Sequence, residues 1–203
     1  MGLYTRFRTL AISGATAPTD AELAAIEKEL GTPLPTDARE FLEVACGGTI
    51  EQLLDVSVPG GGMEPMCFAS ILFAAYLVAE IRNFRELVHL PPGVLPFATD
   101  AGGSMLFLDL SSEGGGRVVA FVHGLPAWTG LRTESSYVTV GSSLDDFVRK
   151  LYVDRDELLT TLRGASESKY VDATEEFLEI TLPSWHDDIE IAEAMREARA
   201  RTQ

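Results

Sequence analysis

LPFATDAGGSMLFLDL (residues 95–110) places two apolar runs on either side of Thr99-Asp100-Ala101-Gly102-Gly103. Three uses of that centre compete: a catalytic loop, a phosphate cradle, or a turn that lets two strands pair. Aspartate bonds local amides and glycine takes positive φ at little steric cost, so a turn at Asp100, Gly102 and Gly103 is the expectation that fits the flanking apolar runs. The pattern continues outward. Residues 106–110 and 117–122 flank Ser111-Ser112-Glu113-Gly114-Gly115-Gly116, a hairpin with a longer loop. Val138 and Val140 alternate with Tyr137 and Thr139 in a further strand. Upstream, Leu54, Val56 and Val58 alternate with Asp55 and Ser57 until Pro59-Gly60-Gly61-Gly62 breaks the run.

Helices surround these strands. Thr19-Asp20-Ala21-Glu22 is a capping box, Leu23, Ile26 and Leu30 follow at helical spacing, and Gly31 supplies a left-handed stop. A second helix is expected over residues 36–46, with Ala38, Phe41, Leu42 and Ala45 on one face and Gly47-Gly48 at its end. A short strand near 70–73 leads into a helix to about Val88, ended by Pro91-Pro92-Gly93. Ser143 caps a helix carrying Leu144, Phe147, Val148 and Leu151. Residues 1–18 are a lead-in with an edge strand over 4–12. After Val153 the composition shifts: from Asp154 to Glu193 twelve carboxylates face only Arg155, Arg163 and Lys169. Two helices are expected there, over 157–162 and 184–201. The second opens on Ser184-Trp185-His186-Asp187 and closes on Arg196, Arg199 and Arg201, which suit a helix C-terminus. The organisation is thus a lead-in (1–18), an α+β domain with a mostly antiparallel sheet flanked by helices (19–153), and an acidic helical extension (154–203).

The totals bound the function. With 203 residues, 46% hydrophobic and 23% charged, the chain can bury a substantial core without a staple. Cys46 and Cys67 do not make a secreted disulfide framework. No signal sequence opens the chain, and Arg6 stands where myristoylation after Met1-Gly2 wants Ser or Thr. The longest apolar run, 71–79, is too short for a bilayer span. A cytoplasmic protein that does not bind membranes is expected. A net charge of −15 argues against direct nucleic-acid binding and suits a basic protein partner, solubility being the plainer use of such charge.

No motif carries chemistry. Pro65 stands where a dinucleotide fingerprint beginning at Gly60 needs its last glycine, and Gly114-Gly115-Gly116 precedes a strand. Ser104 lacks the following glycine of a nucleophile elbow. His89, His123 and His186 show no metal-ligand spacing, and Cys46 has no base adjacent in sequence. His186-Asp187-Asp188 reads as the first turn of a helix. Trp128 and Trp185 each fit either the core or a partner anchor. No catalytic residue, cofactor or metal is expected.

The order of motifs resembles a known family. Glu22-Leu23-Ala24-Ala25-Ile26-Glu27-Lys28-Glu29-Leu30-Gly31-Thr32-Pro33-Leu34-Pro35, then Phe41-Leu42 and Gly47-Gly48, is similar to the opening of a SUKH superfamily domain of the Smi/Knr type. Residues 95–104, leading into Phe107-Leu108-Asp109, resemble its central segment, and residues 143–151 its closing helix. Cys46 replaces the asparagine of the family's Asn-Gly-Gly turn. The resemblance spans residues 19–153 and implies an α+β fold without a catalytic centre. It also implies the role common among bacterial members: an immunity protein that blocks a toxin domain, often a nuclease, of a polymorphic toxin system. A regulatory scaffold of the Smi/Knr type is the alternative, and an enzyme or small-ligand binder has no motif behind it. Gly31, Gly47, Gly48, Asp100, Gly102 and Gly103 are then structural turns. The acidic extension, outside the resemblance, supplies candidate partner-binding residues: Asp172, Glu175, Glu176, Asp187, Asp188 and Glu190. The alternative for these six is a solvated helix face.

Overall fold

The computed structural model describes residues 7, 9–60 and 62–203. In chain order, β1 (Ile12–Ser13) leads to α1 (Asp20–Leu30) and α2 (Thr36–Ala45). Next come β2 (Thr49–Ile50), β3 (Leu54–Val58), β4 (Gly62–Met66), β5 (Ser70–Ile71) and α3 (Ala74–Val88). Strands β6 (Val94–Thr99), β7 (Met105–Asp109), β8 (Arg117–Val122) and β9 (Ser136–Gly141) precede α4 (Leu144–Lys150). Helices α5 (Arg155–Gly164), α6 (Ser168–Thr181) and α7 (Ile189–Thr202) close the chain. The fold is α+β. Seven strands form one sheet in the order β1-β2-β5-β6-β7-β8-β9, antiparallel throughout, and β3 and β4 form a separate hairpin.

The stretch quoted above is the β6–β7 turn. Gly102 and Ser104 N–H groups donate to Asp100 Oδ1 at 2.8 and 2.7 Å, and Gly103 sits at φ 92°. Gly102 does not need positive φ; only Gly103 takes that conformation. Asp100 is therefore spent on its own backbone. At the end of α2, Gly47 has φ 71°, whereas Gly48 is needed for space: a Cβ there would lie 2.5 Å from Ile12 Cγ2. This close approach lets β1 pair with β2.

The two faces of the sheet differ because strand side chains alternate. On the inner face Leu95, Phe97, Leu106, Leu108, Val118, Ala120 and Val140 meet α1, α2, α3 and α4 through Leu23, Ile26, Phe41, Leu77 and Phe147. Phe41, Phe97 and Phe147 follow one another in edge-to-face contacts at 5.4 and 6.0 Å. Helix α1 starts where its capping box says: the Thr19 N–H donates to Glu22 Oε2 at 2.8 Å, and the Glu22 N–H to Thr19 Oγ1 at 3.2 Å. Gly31 ends it in the left-handed conformation. On the outer face Phe84 and Leu90, near the end of α3 and beyond it, pack with Val94 and Phe107.

The segment after Val153 builds a second apolar cluster from Leu158, Leu159, Leu162, Val171, Leu178, Trp185, Ile191 and Met195. The chain enters it through a bridge in which Leu53 and Tyr152 exchange backbone hydrogen bonds at 2.8 and 2.9 Å. Three expectations are corrected here. Helix α6 is present where none was expected. The last helix begins at Ile189 rather than Ser184, because Asp188 Oδ1 accepts the Glu190 and Ile191 N–H groups while Ser184 to Asp187 form a short 3-10 turn. The glycine run near Gly62 is followed by a strand, β4. Of the edge strand expected over 4–12, residues 4–6 and 8 lie outside the described residues, and pairing begins at Ile12.

Candidate protein-binding surface

The uncovered part of the sheet is aromatic. Register places Met105, Phe121 and Tyr137 side by side across β7, β8 and β9. Phe121 and Tyr137 rings lie 5.1 Å apart, and Tyr137 is 57% exposed. The β8–β9 connection continues this character with Leu125, Trp128 and Leu131. Trp128 is 85% exposed and Leu131 64%. An indole left in water is costly unless something else covers it. The loop that carries it is held by hydrogen bonds. Thr129 Oγ1 donates to the Pro126 carbonyl at 2.8 Å and accepts the Leu131 N–H at 3.2 Å. The Leu125 N–H donates to the Arg132 carbonyl at 2.8 Å, and the Arg132 guanidinium reaches the carbonyls of His123 and Glu134. Trp128 thus stands on an ordered loop while Trp185 is core; their polar sequence surroundings did not separate them.

The six acidic candidates of the extension fall into two groups. Asp172 and Glu175, on α6, both meet Arg199 of α7, Asp172 at 3.3 Å. Asp188 and Glu190, at the start of α7, meet Arg155 at 3.0 and 2.9 Å, and Glu190 also meets Arg163 at 2.7 Å. Glu176 and Asp187 are exposed. The arginines therefore clamp α5 and α6 to α7, a use of charge invisible in a count. Arg155, followed by the N–H groups of α7, holds the Asp188 carboxyl down at about 2 from an ordinary 3.8. A depressed carboxylate stabilises the folded state above its ordinary pKa and loses that contribution as pH falls through the folded value. The clamp is thus expected to weaken between pH 3.8 and about 2. In Arg155→Gln, the Asp188 carboxyl should titrate nearer 3.8 in a carboxyl-carbon NMR titration, and the helical signal should fail at higher pH than in the wild type.

Cys46 is not poised as a nucleophile. Burial pushes the Cys46 thiol up to about 11, and Cys46 Sγ donates to the Leu72 carbonyl at 3.2 Å. His186 lies 3.1 Å from Glu179 Oε1, which also accepts the Trp185 indole N–H at 3.1 Å. Among the described residues no group of three or more His, Cys, Asp or Glu side chains is placed to hold a metal, and no helix is long and apolar enough to cross a membrane. A concavity of about 670 Å³ lies where Glu51, Leu53 and Cys67 face α5 and α6.

An antiparallel meander backed by capped helices, opened by a Leu-Pro link after the first helix, defines the class of α+β domain. Residues 17–150 match the SMI1/KNR4 family (SUKH-1), more than half of the chain, and the protein belongs to that family. Domains of this family generally bind protein partners and are generally non-enzymatic. No curated protein matches the chain.

Proposed function

We propose that this protein is a cytosolic, non-enzymatic immunity protein that blocks a basic toxin domain of a bacterial polymorphic toxin system, a nuclease being the class that fits best. The observation that carries the reading is Trp128, almost fully exposed on a loop already ordered by its own hydrogen bonds. Binding hot spots are enriched in tryptophan, and a loop held before binding loses little entropy on docking. The net charge of −15 supports the choice of partner. A domain that grips nucleic-acid phosphates carries Lys and Arg on its working face, and an acidic inhibitor is steered onto that face. Glu176 and Asp187 of the extension, with the exposed edges of Asp172, Glu175, Asp188 and Glu190, contribute to that field.

Calorimetry against the toxin-like domain encoded nearest this gene tests the proposal. The expected result is tight one-to-one binding that weakens as salt rises, with co-expression restoring growth to cells making the toxin. A folded protein that binds no such domain and rescues no cell would sink the reading, and recovery of several unrelated partners in its place would favour the regulatory scaffold.

A further inference from the structure

The concavity between the β-hairpin region and the extension has the size of a binding site, about 670 Å³ against ~300–1,000 Å³ for typical ligand sites. Its wall is mainly apolar, with Leu53, Cys67, Val153, Leu158, Ala173 and Phe177 among its residues. Its ionic groups among the described residues are all of one sign: Glu51, Asp154 and Glu157 line it, and no described lysine, arginine or histidine does. Asp154 is engaged as the cap of α5, accepting the Asp156 and Glu157 N–H groups at 3.0 Å. The carboxylates of Glu51 and Glu157 carry no hydrogen bond or ion pair among the described residues. This contrasts with the other face of the extension, where Arg155, Arg163 and Arg199 neutralise the carboxylates in reach. Burial first, then the charges of Glu51 and Glu157, raise the Cys67 thiol, so the negative field reaches into the groove.

An apolar wall beside uncompensated carboxylates selects its occupant. An acidic surface is repelled, which disfavours a second copy of this chain at net charge −15. A purely apolar segment would leave the carboxylates to lose water without a partner. A segment with apolar side chains on one side and Lys or Arg beside them satisfies both features. We propose that this groove seats an amphipathic basic segment of the protein partner, its apolar side chains against Leu53, Val153 and Phe177 and its cations against Glu51 and Glu157. The inference rests on the protein-binding reading above and adds the chemistry of the segment recognised.

Cys67 makes the groove measurable, because the other thiol, Cys46, is buried. The probe is a synthetic helical peptide with leucines on one face and lysines on the other, compared with its leucine–glutamate counterpart and with spermidine. Maleimide modification of Cys67 in the full chain is the readout. The lysine peptide should slow modification by about tenfold or more, the glutamate peptide and spermidine should not, and Ala173→Trp, which fills the groove, should remove the protection. Neutralising Glu51 and Glu157 together (Glu→Gln) should also remove it, whereas Glu86→Gln with Glu113→Gln, equal in charge but outside the groove, should not. No protection, equal protection by both peptides, or protection that survives Ala173→Trp would overturn the proposal. Protection by spermidine alone would replace it with a small-cation site. Failure here leaves calorimetry with the toxin domain unaffected, so the two readings fall separately.

Discussion

Replacing Trp128 by alanine is expected to weaken partner binding by roughly 30- to 1,000-fold while leaving the fold unchanged. The two halves of that expectation have different causes. In the free protein the indole is 85% exposed, so its removal deletes almost no packing, and a surface change of this kind shifts stability by no more than about 0.5 kcal/mol. In the proposed complex the same ring would be buried, and truncating a tryptophan hot spot costs about 2–4 kcal/mol. The loss should appear chiefly as faster dissociation, because short-range packing forms after the charge-steered encounter. Trp128→Phe should retain part of the affinity. Thr129→Ala, which frees the loop by removing its bonds to Pro126 and Leu131, should lose less than Trp128→Ala. Calorimetry and stopped-flow kinetics with the toxin domain measure all three. An unchanged Kd in Trp128→Ala with an unchanged Tm would move the interface off the β8–β9 connection.

Phe97→Ala should be the most damaging single core change to stability. Phe97 is 1% exposed on the inner face of β6 and stands between Phe41 of α2 and Phe147 of α4. It therefore ties the sheet to the second and fourth helices at once. Truncating a fully buried phenylalanine costs about 3–5 kcal/mol, a large part of the ~5–15 kcal/mol that holds a typical domain together. Denaturant unfolding should show a midpoint lowered accordingly with little change in slope. Phe97→Leu, which keeps most of the volume, should cost well under half as much. Equal losses for both variants would mean that the site collapses around the smaller side chain and that the aromatic column is not a keystone.

Where physical signals are local, the chain could be read directly. The capping box at Thr19, the glycine stop at Gly31 and the cap at Ser143 each act over a few residues, and each stands in the structure. The alternation in β3, β8 and β9 shows which face meets the helices. Asp100 and Gly103 define their turn through bonds that span no more than four residues. Helix α6 escaped because its signals are weak. Glu167 makes no side-chain cap, and only Val171 and Leu178 are fully buried along its length. Strand β4 escaped because Gly62 and Pro65 argue against a strand. As one of only two strands in its hairpin, β4 can tolerate a proline that gives the ladder no donor.

The candidate surface was less legible than the fold. Trp128 and Trp185 have similar polar neighbours in sequence, yet one stands in solvent and the other packs inside α5, α6 and α7. The carboxylates from Asp172 to Glu190 looked alike until Arg155, Arg163 and Arg199 were found against four of them, at separations of up to 35 residues. By itself the sequence determined the α+β class, the meander at the centre and the acidity that orients the choice of partner, because these rest on periodicity, local capping and composition; the family came from the resemblance of its motifs in their order along the chain. Only the tertiary structure decided which aromatic is exposed, which acids are already paired, and that Glu51 and Glu157 line one apolar groove. Those facts depend on contacts between residues far apart in the chain, and such contacts exist only once the helices have packed.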